Sequence, residues 1–253
     1  MHSTTNLSSP FPCLNGHIQA LFFDLDGTLR HDAPSSHETF FNFAVELGAP
    51  DTPSNRPLAL RWAHAYWANV NQTAEQDLNQ HGRNTPEFWQ NYARRYLLAY
   101  GCHAMQAETL ALLLHTRMEE HHKPTNTLAP DTHATLNTLQ ASGYRLGLIT
   151  NRTRPCHEEL ETLGIAHYFD LILTAGEVNA YKPEPAIFEH ALARTGLQPQ
   201  ATLYIGDNYY ADVIGAERAG MTPILLDPAR VFPEATCPIN TTQSDLPALH
   251  GHG

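Results

Sequence analysis

The chain has 253 residues, of which 42% are hydrophobic and 16% charged, so it is an ordinary globular sequence long enough for one core and a smaller appendage. Its net charge of −11 argues against a nucleic-acid groove, which needs a basic face. No apolar run approaches the roughly 20 residues of a membrane span. The polar segment 1–12 lacks the basic head and apolar stretch of a signal peptide.

The first predicted strand covers residues 19–24 and ends in two aspartates before a glycine turn. Asp24 and Asp26 lie two positions apart, so strand alternation would point both side chains the same way. Two like charges so close repel each other, and we therefore expect a cation or a shared proton between them. Gly27 allows a sharp turn and keeps side-chain bulk away from a ligand. Aspartate and glycine are also common turn residues, so this motif alone does not decide.

The stretch that follows is predicted to be helical. Apolar residues recur at helical spacing in four segments, at 40–47, 58–70, 88–100 and 108–120, with breakers between them. We therefore predict an α-helical cap over residues 33–124, with hinges near 31–35 and 123–130. Its aromatic residues are interpreted mostly as cap core, with one or two facing a ligand: Trp62, Tyr66, Trp67, Phe88, Trp89, Tyr92 and Tyr96.

From residue 125 onward, predicted helices alternate with predicted strands. The strands are expected at 144–149, 171–173, 203–205 and 223–226, and the helices at 131–141, 155–164, 183–195 and 212–219. This alternation predicts an α/β protein whose parallel sheet is covered by helices on both faces, in three layers. The core would consist of residues 1–32 and 125–253, and the tail from residue 228 onward is predicted to be loosely attached.

Polar residues follow several of these strands. Thr150 and Asn151 end one strand, Asp207 and Asp212 follow another, and Lys182 opens a helical stretch. In an open α/β sheet, ligands bind outside the carboxyl ends of the strands. We therefore predict that these groups converge with the two aspartates of the first strand. Each residue alone would be an ordinary surface or turn residue, and only their order favours a site.

In this order, the motifs resemble those of the haloacid dehalogenase superfamily, in the phosphoglycolate phosphatase-like subgroup that has a helical cap between the first and second motifs. The motifs are Asp24-Leu25-Asp26-Gly27-Thr28, Thr150-Asn151, Lys182-Pro183, and Gly206-Asp207-Asn208 with Asp212. The resemblance extends from about residue 19 to residue 227. It implies a Rossmann-like core and an Mg²⁺-dependent phosphatase that hydrolyses a small-molecule phosphate monoester through an aspartyl-phosphate.

The resemblance also implies roles for the aspartates. Asp24 would be the nucleophile, and Asp26 the general acid and then the general base. Mg²⁺ would lie on Asp24, the main-chain carbonyl of Asp26, and Asp207, because this ion prefers oxygen ligands. Asp212 would support the metal or orient the lysine.

Three further residues would handle the phosphate. Thr150 and Asn151 would bind its oxygens, and Lys182 would neutralise the charge that develops on them. The triplet Asn151-Arg152-Thr153 is also a glycosylation sequon. We interpret this sequon as chance, because a glycan there would block the predicted site.

Other functions remain open. A sugar phosphomutase of the same superfamily would use the same residues and keep the phosphoryl group, whereas a non-catalytic phosphate-ligand-binding protein is disfavoured because no expected catalytic side chain is missing. Dehalogenation needs no second aspartate, so Asp26 argues against it. The predicted partner is a small phosphate ester, with no nucleic acid and no membrane, and the oligomeric state is left open.

The four cysteines lie far apart and form no Cys-x-x-Cys pair. They are Cys13, Cys102, Cys156 and Cys237. Such scattered thiols are typical of a reducing compartment, where they remain free. We therefore expect a cytoplasmic protein.

Overall fold

The structure is a computed structural model that describes residues 18–240. Its strands are β1 (Ala20–Phe23), β2 (Arg30–Ala33), β3 (Thr125–Leu128), β4 (Arg145–Thr150), β5 (Leu171–Thr174), β6 (Thr202–Gly206), β7 (Thr222–Leu226) and β8 (Ile239–Asn240). Six of them form a parallel sheet in the order β5-β4-β1-β6-β7-β8, and β2 pairs with β3 in a separate antiparallel ribbon. The first strand of the chain therefore lies inside the sheet, between β4 and β6.

Ten α-helices are present among the described residues. They are α1 (Ser36–Glu46), α2 (Asn55–Trp67), α3 (Thr73–His81), α4 (Pro86–Tyr100), α5 (Ala104–His121), α6 (Thr132–Ala141), α7 (His157–Thr162), α8 (Ala175–Val178), α9 (Pro185–Thr195) and α10 (Ile214–Arg218). The first five lie between β2 and β3, and we refer to them as the helical cap. No helix in the described part combines the length and the apolar character that a membrane crossing needs.

Both faces of the sheet are covered, because alternate residues of β1 pack in opposite directions. Leu21 and Phe23 join a buried cluster that includes residues of α6 and α7. Phe22 joins a second cluster on the other face that includes residues of α9 and α10. The predicted three-layer α/β core with a Rossmann-like parallel sheet and inserted helices is thus confirmed.

The cap contains five helices, one more than the sequence predicted. The additional helix, α3, has a polar sequence, and its buried residues are only Ala74 and Asp77. The Asp77 carboxylate accepts a hydrogen bond from Tyr66 at 3.1 Å and pairs with Arg95 at 2.7 Å. Apolar periodicity could not predict α3, because only Ala74 and Leu78 of this helix pack against the apolar core of the cap. Its other buried side chain, Asp77, is held by an ion pair with the partly exposed Arg95.

The predicted domain boundaries stay a prediction. They divide the chain into a core of residues 1–32 and 125–253 and a cap of residues 33–124. Residues 1–17 and 241–253 lie outside the described part. The polar segment 1–12, which was not expected to be a signal peptide, lies there. Cys13 lies there as well. The cysteines within the described part, Cys102, Cys156 and Cys237, are free.

Helix starts near the carboxyl edge of the sheet differ from the prediction. The helix expected from residue 212 begins earlier, as a π-helical turn over Tyr209–Val213 that continues into α10. The side chain of Asn208 accepts hydrogen bonds from the N–H groups of Tyr210 and Ala211, both at 3.1 Å. This side-chain cap starts the helix at the residue that directly follows it.

The prediction of a loosely attached tail is wrong for residues 228–240. Val231 and Phe232 are buried, and their N–H groups each donate to the Asp227 carboxylate at 2.8 Å. Arg61 of the cap helix α2 pairs with Glu234 at 2.7 Å. The segment ends in β8, which extends the sheet next to β7. The rest of that tail lies outside the described residues.

Candidate active site

Asp24 lies directly after β1, at the carboxyl end of a central strand. Its N–H donates to the carbonyl of Ile205 at 2.8 Å, which continues the pairing with β6 by one residue. The side chain is buried, with the residue only 6% exposed. Burial raises the pKa of this carboxyl to about 7, although Lys182 opposes the rise. The sheet thus fixes a carboxylate in a poorly hydrated position.

Lys182 contacts three oxygen atoms at once. Its Nζ donates to Asp24 Oδ1 at 2.6 Å, to Asp212 Oδ1 at 2.7 Å and to the Tyr204 hydroxyl at 2.8 Å. Burial by itself lowers the pKa of this ammonium, but the charges of Asp212 and Asp24 outweigh that effect and raise the pKa well above its usual value. The lysine is therefore a permanent cation at the base of the site.

Sequence reasoning missed Tyr204, which lies in β6. The fully buried hydroxyl accepts from Lys182 and donates to the carbonyl of Ile149 at 3.0 Å. The residue looks like an ordinary member of an apolar strand. The one indication in the sequence was a tyrosine within a buried apolar strand, because a buried tyrosine hydroxyl needs a hydrogen-bond partner.

Three carboxylates converge beside this lysine. Asp24, Asp207 and Asp212 each offer an oxygen, and these oxygens all lie within 4.8 Å of one another. Asp207 accepts from the Thr28 hydroxyl at 3.2 Å, and Asp212 Oδ2 accepts from the N–H of Asn208 at 2.9 Å. Burial, followed by the charges of the other two aspartates, raises the pKa of Asp207 well above its usual value. One ammonium does not balance three carboxylates, so the group calls for another cation.

Two glycines leave room around these carboxylates. A Cβ atom on Gly27 would lie 2.4 Å from an Asp207 oxygen, and Gly27 also has a φ of +91°. A Cβ atom on Gly206 would lie 2.3 Å from an Asp212 oxygen. Any side chain at either position would displace a carboxylate of the group. The oxygen-only donor set and this space fit a small, hard divalent cation such as Mg²⁺.

Asp26 lies outside this carboxylate group. Its carboxylate forms two hydrogen bonds with Arg152, both at 2.7 Å, and a longer one with Arg30 at 3.3 Å. β1 ends at Phe23, so strand alternation does not extend to Asp26, whose carboxylate pairs with two arginines. The expectation of a cation or a shared proton between Asp24 and Asp26 stays a prediction. The catalytic role of Asp26 and its metal contact through the main-chain carbonyl stay predictions.

Arg152 is the second residue that sequence reasoning missed. It forms charged hydrogen bonds with Glu159 as well as Asp26, and these two carboxylates raise its pKa despite partial burial. The signal was its position directly after Thr150-Asn151, where the sequence suggested only a chance sequon. A bidentate pair fixes the plane of a carboxylate, so Arg152 determines where Asp26 points.

The two residues at the end of β4 have different surroundings. Thr150 is buried at the strand end, and its Oγ1 accepts from the N–H of Arg152 at 3.4 Å. The Asn151 side chain accepts from the N–H of Lys182 at 2.7 Å and donates to the Lys182 carbonyl at 2.9 Å. Asn151 therefore holds the backbone that carries the lysine. Phosphate contacts of Thr150, Asn151 and Lys182 stay predictions.

Comparisons with known proteins agree with this geometry. The sequence model described as haloacid dehalogenase-like hydrolase matches residues 18–220. Glyceraldehyde 3-phosphate phosphatase of Methanothermobacter thermautotrophicus is 31% identical over 217 residues, which are 83% of this chain and 86% of that protein. Phosphoglycolate phosphatase of Mannheimia succiniciproducens is 27% identical over 214 residues, with the same shares covered.

Solved structures show the same fold. The 2-haloacid dehalogenase of Pseudomonas syringae pv. tomato is 25% identical, with a TM-score of 0.51 over 92% of this chain and 97% of that one. The HAD phosphatase of Thermococcus onnurineus is 22% identical, with a TM-score of 0.54 over 92% and 98%. The family match covers β1 to β6 and the inserted helices. The chain therefore belongs to the haloacid dehalogenase-like hydrolases, the family that the order of its four motifs predicted.

Proposed function

We propose that this hydrolase is an Mg²⁺-dependent phosphatase that cleaves a small-molecule phosphate monoester through an aspartyl-phosphate on Asp24. The observation that carries the proposal is the buried Asp24 carboxylate, held at 2.6 Å from Lys182 within a group of three carboxylates. Relatives that span most of the chain are named phosphatases of small molecules, which supports the same reaction class here.

The reaction can be written with the chain's own side chains. An Asp24 oxygen attacks phosphorus, the bond from phosphorus to the ester oxygen breaks, and Asp26 gives its proton to that leaving oxygen. Asp26, now a carboxylate, then removes a proton from water, and the resulting hydroxide attacks phosphorus. The bond from phosphorus to Asp24 breaks, which releases inorganic phosphate and restores both aspartates.

The surrounding residues support these steps. Lys182 keeps the Asp24 carboxylate in place and offsets charge on the phosphoryl oxygens, while Thr150 binds one of those oxygens. Arg152 would orient the exposed Asp26 carboxyl toward the leaving oxygen. Asp24, Asp207 and the Asp26 main-chain carbonyl would hold Mg²⁺ beside Asp212. Bound there, the ion offsets the repulsion between the attacking carboxylate and the phosphate.

The proposal is tested by phosphate release from a panel of esters with Mg²⁺ and after chelation with EDTA. We expect release only with Mg²⁺, and none from Asp24→Asn, whose amide is a poor nucleophile of nearly the same shape. The exposed Asp170, paired with Arg145, supplies the control Asp170→Asn. Full activity after chelation, or in Asp24→Asn, would exclude this mechanism.

The same assay separates the alternatives. A sugar phosphomutase would return the phosphoryl group to a sugar and release little free phosphate, whereas a phosphate-binding protein would release none from any ester. The phosphatase releases free phosphate in proportion to the alcohol formed. The cytoplasmic location and the oligomeric state stay predictions that this assay does not address.

A further inference from the structure

The helical cap contains a cavity of about 610 Å³, which no role given above uses. This volume equals that of roughly 20 water molecules at about 30 Å³ each, and it lies in the range of ligand pockets. Five aromatic side chains line it: Phe40, Trp67, Trp89, Tyr92 and Tyr96. Trp67 is 43% exposed although it is a large apolar residue, so its ring is available to a ligand.

The cavity reaches the end of the cap that joins the core. Ser36 and His122, which lie where α1 begins and just after α5 ends, both line it and contact each other at 3.0 Å. His37 also lines it and stacks on His64, with ring centroids 6.4 Å apart. The His64 carbonyl accepts from the side chain of Asn208 at 3.1 Å, and Asn208 directly follows Asp207 of the carboxylate group. The cavity is thus linked by a short series of contacts to the proposed site of phosphoryl transfer.

The charges of the lining narrow the class of ligand. Within the described part of the chain, the lining includes no lysine and no arginine, and its one carboxylate is that of Glu119. Three histidines also line the cavity: His37, His115 and His122. A second phosphate or a carboxylate on the substrate would find no lysine or arginine there and would lie beside the Glu119 carboxylate, which is unfavourable for an enclosed anion. The aromatic surface instead suits a flat, uncharged group.

Resting on the proposed function, we infer that the cavity receives the alcohol part of the phosphate ester, and that this part is uncharged and carries a ring. The phosphate would lie at Asp24 and Lys182, while the ring packs against Trp67 and Trp89. The substrate class is therefore the monophosphate of a ring-bearing neutral alcohol. Phosphate esters that carry a carboxylate or a second phosphate would be poor substrates.

The test compares kcat/KM for benzyl phosphate, glycerol 3-phosphate and phosphoglycolate with Mg²⁺ present. All three esters have alkoxide leaving groups, so the comparison reports on the alcohol part. Burial of the ring predicts a kcat/KM for benzyl phosphate about 10- to 100-fold above that for phosphoglycolate. Equal values, or a preference for phosphoglycolate, would overturn the inference.

A charge-reversal pair adds a matched control. Glu119 lines the cavity and Glu120 does not, yet both are exposed on α5 beside a histidine. Glu119→Arg should raise kcat/KM for phosphoglycolate about tenfold relative to benzyl phosphate, whereas Glu120→Arg should leave the ratio unchanged. If the two variants act alike, the cavity does not hold the alcohol part.

A binding measurement gives a readout without turnover. In Trp62→Phe the remaining tryptophans, Trp67 and Trp89, both line the cavity. Benzyl alcohol should change their fluorescence, and glycolate should not, whereas an equal response to both contradicts the inference. No phosphate release even from p-nitrophenyl phosphate would refute the proposed function and this inference with it. Release from that ester together with a preference for phosphoglycolate would refute the inference alone.

Discussion

Removing the hydroxyl of Tyr204 tests whether this buried group holds Lys182 in place. Tyr204→Phe keeps the ring and deletes one oxygen, which accepts from the Lys182 ammonium at 2.8 Å and donates to the Ile149 carbonyl at 3.0 Å. A hydrogen bond to a charged group contributes about 1.5–3 kcal/mol, and a neutral one about 1 kcal/mol. Lys182 keeps two carboxylate partners, so the loss should lie at the lower end of their sum. We expect the free energy of unfolding to fall by about 1.5–3 kcal/mol.

The assay is urea unfolding of the wild type and Tyr204→Phe, followed by circular dichroism under identical Mg²⁺ and pH conditions. The same variant should reduce kcat/KM for every ester by one common factor, because in the proposed mechanism Lys182 acts on the phosphoryl group that all the esters share. Tyr181→Phe is the matched control, since Tyr181 is half-buried next to Lys182 in the sequence. A Tyr204→Phe protein within about 0.5 kcal/mol of the wild type would refute the reasoning.

Three further predictions concern the reacting groups and the metal. Asp26→Asn should lower kcat/KM for alkyl phosphates by about 10²- to 10⁴-fold, the range for a lost general acid or base. The loss should be much smaller for p-nitrophenyl phosphate, because its leaving group needs no proton. Equal losses on both kinds of ester would contradict the role of Asp26 as general acid. Arg152→Gln should lower kcat/KM for alkyl phosphates by about 5- to 30-fold, because its partly exposed ion pair with Asp26 contributes only about 1–2 kcal/mol. Arg154 is an exposed neighbour, and the control Arg154→Gln should behave like the wild type. Ca²⁺ added to the reaction with Mg²⁺ should inhibit it, because the larger ion accepts more ligands and can engage both oxygens of Asp24. Steady-state rates that are unchanged by Ca²⁺ would contradict a metal site at Asp24.

The sequence predicted the features that depend on local periodicity. Continuous apolar runs predicted the buried parallel strands, and the helical spacing of apolar residues predicted four of the five cap helices. The strand-end residues were also predictable, since the carboxyl ends of parallel strands meet at one edge of a sheet. From this rule the sequence predicted that Asp24, Asp207 and Asp212 lie close together, with Lys182 beside them.

The polar helix α3 shows where periodicity stops. It has only a short apolar face, and its Asp77 carboxylate pairs with Arg95 from a different helix. The tail shows the same limit, because residues 228–240 are fixed by the Asp227 carboxylate and by pairing with β7. The Asp77–Arg95 ion pair and the β7–β8 pairing both connect residues that are far apart in the chain. The residues next to them in the sequence therefore give no indication of these contacts.

By itself, the sequence determined the order of the motifs, the alternation of strands and helices, and the carboxylate chemistry that this order implies. Only the tertiary structure decided which cation each carboxylate meets. Asp24 pairs with a lysine 158 residues away, whereas Asp26 pairs with an arginine 126 residues away. The physical reason is that strand periodicity determines the face on which a side chain lies, while an ion pair depends on the distance between groups that only the folded sheet brings together.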